Sequence, residues 1–217
     1  MASSLGGVQP LPVPTPPRDD SGRILPARPK QAAIVLLGFT ALLYVLELVD
    51  ALSGHALDTG GIIPRSLSGL DGILWGPLLH YGWDHLAANT VPLLVLGFLC
   101  FAGGLRQFVA VTAVVWVVGG IGTWLIGSSG TIHAGASGLI FGWLTYLLVR
   151  GVFLRRPLPI LLAVVLFFFY GATLWGVLPG TPGVSWEGHL SGALGGVLAG
   201  WLVGRASRRA GTPAATA

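Results

Sequence analysis

The sequence predicts an all-α, polytopic membrane protein folded as a six-transmembrane-helix bundle, and three observations predict it. Of the 217 residues, 53% are hydrophobic and only 9% charged, with a mean hydropathy of +0.78. A soluble domain carries about a quarter charged residues, so most of this surface must face lipid. Six apolar segments can span a bilayer: 32–49, 86–103, 108–126, 137–149, 158–175 and 188–204. A hydrocarbon core ~30 Å thick takes about 20 helical residues, so the shorter segments begin below its surface or meet a thin bilayer. With the N-terminus inside, every Lys and Arg except Arg65 falls on the cytoplasmic side, as the positive-inside rule requires.

In chain order, residues 1–30 hold seven prolines and no apolar periodicity, which predicts a disordered cytoplasmic tail. No basic stretch followed by an apolar core marks it as a signal peptide. Residues 31–204 form the membrane domain, with a long outer loop over 51–84, and 205–217 form a second disordered cytoplasmic tail. The lone Cys100 permits no internal disulfide. A zinc-type cluster, a P-loop and a dinucleotide fingerprint are all missing from the sequence, so no cofactor and no metal are expected. The net charge of +4 is spread over several loops, which speaks against nucleic acid as a partner. The bilayer is the expected partner, and nothing in the sequence sets an oligomeric state.

The polar residues gather in one leaflet. His55, His80, His85, His133, His189, Asn89 and Ser137 all fall at or near the outer side, and polar groups within a membrane are expensive and default to function. Ser137 opens the fourth segment, 13 residues before Arg150 at the inner boundary, or ~20 Å of helix. That leaves it ~10 Å below the outer surface. His189 opens the sixth segment at a similar depth. The sixth carries Gly192, Gly196, Gly200 and Gly204 down one face and the fourth carries Gly138 and Gly142. Small residues at this spacing let transmembrane backbones approach closely, so a Ser137–His189 hydrogen bond is geometrically allowed.

A serine hydroxyl becomes a nucleophile when a neighbouring base takes its proton, and His189 is the histidine that packing places beside the fourth segment. Glu187 points to another face, so a dyad is expected rather than a triad. His85 and Asn89 share one helical face a turn apart. With the Ser137 backbone N–H they could stabilise an oxyanion. The soluble nucleophile elbow is absent, since Leu139 stands where its second glycine belongs. Singly, these residues have plain structural readings: Ser137 as a packing residue, Asn89 as interhelical glue, the glycine stripe as packing. His133 and His55 are read as loop residues. The convergence of four polar groups at one depth favours the chemical reading.

These motifs resemble those of the rhomboid intramembrane serine proteases over residues 32–204. The resemblance rests on His85-Leu-Ala-Ala-Asn89 with His80 five residues earlier, on Gly135-Ala136-Ser137-Gly138, and on His189-Leu-Ser-Gly192 with Gly196 following. It implies Ser137 as nucleophile, His189 as general base, and His85, Asn89 and the Ser137 backbone as oxyanion ligands. His80 would support them by organising water, and Phe141 would pack on the catalytic histidine. The 51–84 loop, with Ile73, Leu74, Trp75, Leu78 and Leu79, resembles the family's partly embedded first loop but lacks its common Trp-Arg pair. Six helices without an extra domain resemble the basic bacterial type, which implies a bacterial cytoplasmic membrane and an active site opening to the outside.

The expected activity is hydrolysis of peptide bonds in or near transmembrane segments of protein substrates. One rival is a non-catalytic relative that binds transmembrane helices in quality control; the intact Ser–His set argues against it. A small transporter is the other, disfavoured because no two-fold internal repeat is found.

Overall fold

The computed structural model describes residues 22–210; the greater part of the two expected tails, 1–21 and 211–217, lies outside the described residues. Six long helices are present among the described residues: α1 (Pro29–Leu52), α3 (Trp83–Cys100), α4 (Gly104–Ile126), α5 (Ser137–Leu154), α6 (Pro157–Tyr170) and α7 (Trp186–Ala210). A one-turn helix, α2 (Gly72–Trp75), sits in the first loop.

The helix limits follow local chemistry. Pro29 and Pro157 open α1 and α6, where a missing N–H costs nothing and φ is already helical. Between α3 and α4 the chain makes a short 3₁₀ turn over Phe101–Gly103, and Gly104 takes a positive φ of 83°. Basic residues end apolar segments but not helices. Accordingly α5 runs past Arg150 to Leu154, and α7 continues to Ala210, so residues 205–210 are helical rather than tail. The fifth segment does the opposite. Its helix stops at Tyr170, and Gly171–Val177 wind as 3₁₀.

Four stretches are long and apolar enough to cross a membrane: Pro29–Leu52, Trp83–Ile126, Ser137–Leu154 and Pro157–Val177. The second holds both α3 and α4, so five of the six long helices are included and α7 is not. The reason is packing. α7 lies against α4 and α5, and it buries Gly192, Ala193, Gly195, Gly196, Ala199 and Gly200. A helix face packed this closely on protein needs small residues rather than bulky apolar ones, while Leu194, Val197, Leu198, Trp201 and Leu202 stay exposed on the opposite face. α6 is its opposite, burying only Pro159 and Leu166 while exposing Phe167, Phe168 and Phe169. Apolar surface of this extent requires lipid.

The α5–α7 contact organises the bundle. A Cβ at Gly192 would run into the carbonyl of Gly138, and one at Gly196 into that of Gly142. Thr145 Oγ1 also donates to the Ala193 carbonyl across the pair (2.8 Å). At the end of the bundle away from Ser137, Arg150 is 1% exposed and donates to the Arg23 carbonyl (2.9 Å).

The 51–84 loop is structured and anchored to the end of the bundle that carries Ser137 and His189. Ile62 and His133 exchange both backbone hydrogen bonds (2.8 and 2.9 Å). The indole N–H groups of Trp116 and Trp124 donate to the carbonyls of Ile73 and Ser66 (2.8 and 2.9 Å). Arg65 donates to the carbonyls of Leu125 and Gly127 (3.0 and 2.7 Å). It thus closes the C-terminal end of α4, where carbonyls lack helical partners.

Candidate active site

Ser137 is the first residue of α5 and His189 lies in the first turn of α7. The close glycine contact between these helices brings Ser137 Oγ to 2.9 Å from His189 Nε2. The other ring nitrogen, Nδ1, lies 3.0 Å from the Gly176 carbonyl oxygen. A carbonyl can only accept, so Nδ1 carries the proton and Nε2 is left with a lone pair facing the serine hydroxyl. The group that orients the base is thus a main-chain carbonyl of the 3₁₀ turn after α6. Glu187 faces elsewhere and accepts from the backbone N–H and hydroxyl of Ser128 (3.2 and 3.1 Å). Phe141, one turn after the serine, stacks on the His189 ring with centroids 4.0 Å apart and planes 10° from parallel.

The donors lie on the opposite wall. Tyr81 N–H points at His85 Nδ1 (3.4 Å), which makes Nδ1 the acceptor and leaves Nε2–H as a donor. That edge lies over Gly135: a Cβ there would sit 2.8 and 2.9 Å from His85 Cε1 and Nε2, and Gly135 has a φ of 124°. Only glycine satisfies both constraints. Asn89 Nδ2 donates one hydrogen to the His85 carbonyl (2.9 Å), leaving its second for the cavity that Asn89 lines. His80 is 3% exposed, and its Nε2 accepts from the Ala136 backbone N–H (3.2 Å), fixing the residue before Ser137. Burial and the neighbouring His85 lower the His80 pKa to about 4, so it stays the neutral acceptor this bond requires.

These groups share a cavity of ≈ 590 Å³ lined by Tyr81, His85, Asn89, Ser137, Phe141 and His189. Pro92 stands inside α3 and cannot donate to the Ala88 carbonyl four residues back; both residues line the same cavity. A smaller cavity of ≈ 50 Å³ lies behind Ser137, between Trp116, Thr123 and His133, large enough for a water. A hydroxyl with a base on one side and convergent N–H donors on the other is the arrangement acyl transfer needs.

Residues 72–206 match the family model of the Rhomboid domain. The chain belongs to the rhomboid family. Rhomboids are a family of intramembrane proteases, and the match with the apolar helices makes this an integral membrane protein. Its relatives include uncharacterized proteins of Mycobacterium bovis (strain ATCC BAA-935 / AF2122/97) and Mycobacterium tuberculosis (strain ATCC 25618 / H37Rv). Each is 52% identical over 167 residues, covering 73% of this chain and 70% of the relative. An uncharacterized protein of Mycobacterium leprae (strain TN) is 50% identical over 169 residues, covering 74% and 67%. No solved structure matches the chain significantly.

Two features of this rhomboid site went unread in the sequence. Gly176 acts through its carbonyl, which no side-chain pattern can signal. His133, read as a loop residue, is 8% exposed, and its ring joins Ser185 Oγ (2.6 Å) and Thr131 Oγ1 (2.7 Å). It ties the loop before α5 to the start of α7, a link set by a partner 52 residues away.

Proposed function

We propose that this rhomboid is a serine endopeptidase that hydrolyses peptide bonds in or near transmembrane segments of membrane-protein substrates. The observation that carries the reading is the 2.9 Å contact between Ser137 Oγ and a His189 ring whose tautomer is set by the Gly176 carbonyl. In the proposed cycle His189 Nε2 takes the hydroxyl proton as Ser137 Oγ attacks the scissile carbonyl carbon. His85 Nε2–H, the free Asn89 amide hydrogen and the Ser137 N–H receive the developing oxyanion. His189 then protonates the leaving amine. Water entering through the cavity attacks the acyl-enzyme, again deprotonated by His189, and regenerates the serine. No cofactor or metal takes part in this chemistry.

All six long helices span the bilayer in this reading, α7 included because its glycine face packs on α4 and α5 while Leu194, Val197, Leu198, Trp201 and Leu202 face lipid. The termini lie in the cytoplasm and the cavity opens to the outer side of a bacterial cytoplasmic membrane. The binding-only alternative has no use for an oriented base on a serine. The test is cleavage of a panel of single-span proteins in liposomes. Wild type is expected to cut at least one, and Ser137→Ala none, with the mutant's thermal unfolding unchanged. Cleavage by folded Ser137→Ala would refute the nucleophile.

A further inference from the structure

At the outer end of α1 and the start of the first loop, far along the chain from Ser137, three acidic side chains and a histidine converge. Asp50 is 3% exposed. Its Oδ1 accepts from the Leu57 backbone N–H (2.7 Å), and its Oδ2 lies 2.9 Å from His55 Nδ1. The same Nδ1 is 3.9 Å from Asp58 Oδ2, and one ligand-type atom from each of the three residues falls within 4.8 Å of the others. Ligand atoms about 2.0–2.2 Å from a tetrahedral ion stand roughly 3.3 Å apart, a separation these two distances bracket.

Glu47 supplies an independent observation. It lies one turn before Asp50 on the same face of α1, is 2% exposed, and neither carboxylate oxygen has a hydrogen-bond partner. With Asp50, Asp58 and His80 it lines one narrow crevice too small for a water. A buried carboxylate without partners is strongly disfavoured. Beside the Leu57 N–H on Asp50, the charged partner the structure gives Asp50 and Asp58 is His55, a single imidazole against two carboxylates. A divalent cation would answer the whole set.

We propose that Asp50, His55 and Asp58, beside the buried Glu47 carboxylate, bind a divalent transition-metal cation of the Zn²⁺ type, which clasps the end of α1 to the first loop. Imidazole nitrogen beside carboxylate oxygens favours such ions over Mg²⁺ or Ca²⁺, which take oxygen alone. His80 is not a ligand. Its Nε2 accepts from Ala136 N–H, so that nitrogen is already engaged, and its Nδ1 carries the proton.

The test is calorimetric titration of Zn²⁺ into the untagged, chelator-stripped full chain in detergent, with Mg²⁺ and Ca²⁺ as controls. Variants are His55→Ala, Asp58→Asn and Glu47→Gln, each checked by thermal unfolding without metal. Expected is one Zn²⁺ per chain, binding weakened at least tenfold in His55→Ala and in Asp58→Asn, and a metal-dependent rise in unfolding temperature confined to wild type. His55 and Asp58 are partly exposed, so these two variants are expected to fold. Binding equal in wild type and both variants would overturn the site, as would no Zn²⁺ uptake. The latter would leave Glu47 buried as the neutral acid and His55–Asp50 as a plain ion pair.

Discussion

Gly192 is where packing and the proposed chemistry meet, and replacing it with alanine separates them. A Cβ at this position would lie 2.8 Å from the Gly138 carbonyl carbon and 3.1 Å from its Cα, and closer still to the carbonyl oxygen, where ordinary contact begins at 3.4 Å. The neighbouring atoms are backbone, so relief requires α7 to move away from α5 by roughly 1 Å. Overpacking of this kind costs about 1–3 kcal/mol of stability. Ser137 and His189 sit on the two helices being separated. Their 2.9 Å contact would lengthen toward about 4 Å, beyond hydrogen-bonding distance. Misplacement by ~1 Å costs on the order of 10² in rate. The assay pairs thermal unfolding in detergent with the rate of serine labelling by a fluorophosphonate. Leu194→Ala, at a position of α7 that is 57% exposed, is the control. Expected for Gly192→Ala is a lowered unfolding temperature and labelling slowed about a hundredfold at temperatures where it remains folded. Gly192→Ala that labels at the wild-type rate would refute the link between this glycine contact and the dyad.

Asn89→Ala should lower turnover of a cleaved substrate by ~10- to 10³-fold, as for one oxyanion donor among three; unchanged kcat would remove Asn89 from that role. Phe141→Ala removes the ring stacked on His189 and should slow labelling while leaving its site unchanged. Labelling at full rate would make the stacking dispensable. Stability should also fall with acid. His80 has a folded pKa of about 4 against 6.5 unfolded, so below 6.5 the unfolded chain takes up a proton that the folded one refuses. This contribution is fully present above pH 6.5 and lost as pH falls to about 4, by about 3 kcal/mol. Chemical unfolding at pH 7.5 and 4.5 should show that loss in wild type and a smaller one in His80→Gln; an equal loss would assign it to other groups.

Parts of this structure that rest on residue size and spacing were legible in the sequence. The glycines of 192, 196, 138 and 142 announced a close helix pair, and an i, i+4 pair placed His85 and Asn89 on one face. What resisted reading has physical causes. Helix ends were set too early because apolarity stops at Arg150 and Arg205 while the helical backbone continues. α7 is less apolar than the other long helices because the face it packs on α4 and α5 is made of glycine and alanine. The group orienting His189 is a carbonyl, and the partners of His133 and Arg65 lie dozens of residues away, where local pattern carries no information. Glu187, expected on another face from His189, does point away and is engaged by Ser128.

The central claim is that Ser137 is a nucleophile activated by His189. The most direct measurement is fluorophosphonate labelling of the purified protein in detergent, with the modified peptide located by mass spectrometry, beside Ser137→Ala and His189→Ala. Labelling of wild type at Ser137, absent in Ser137→Ala and nearly so in His189→Ala, is the expected result. A folded wild type that stays unlabelled, or labelling that persists at full rate without His189, would contradict it.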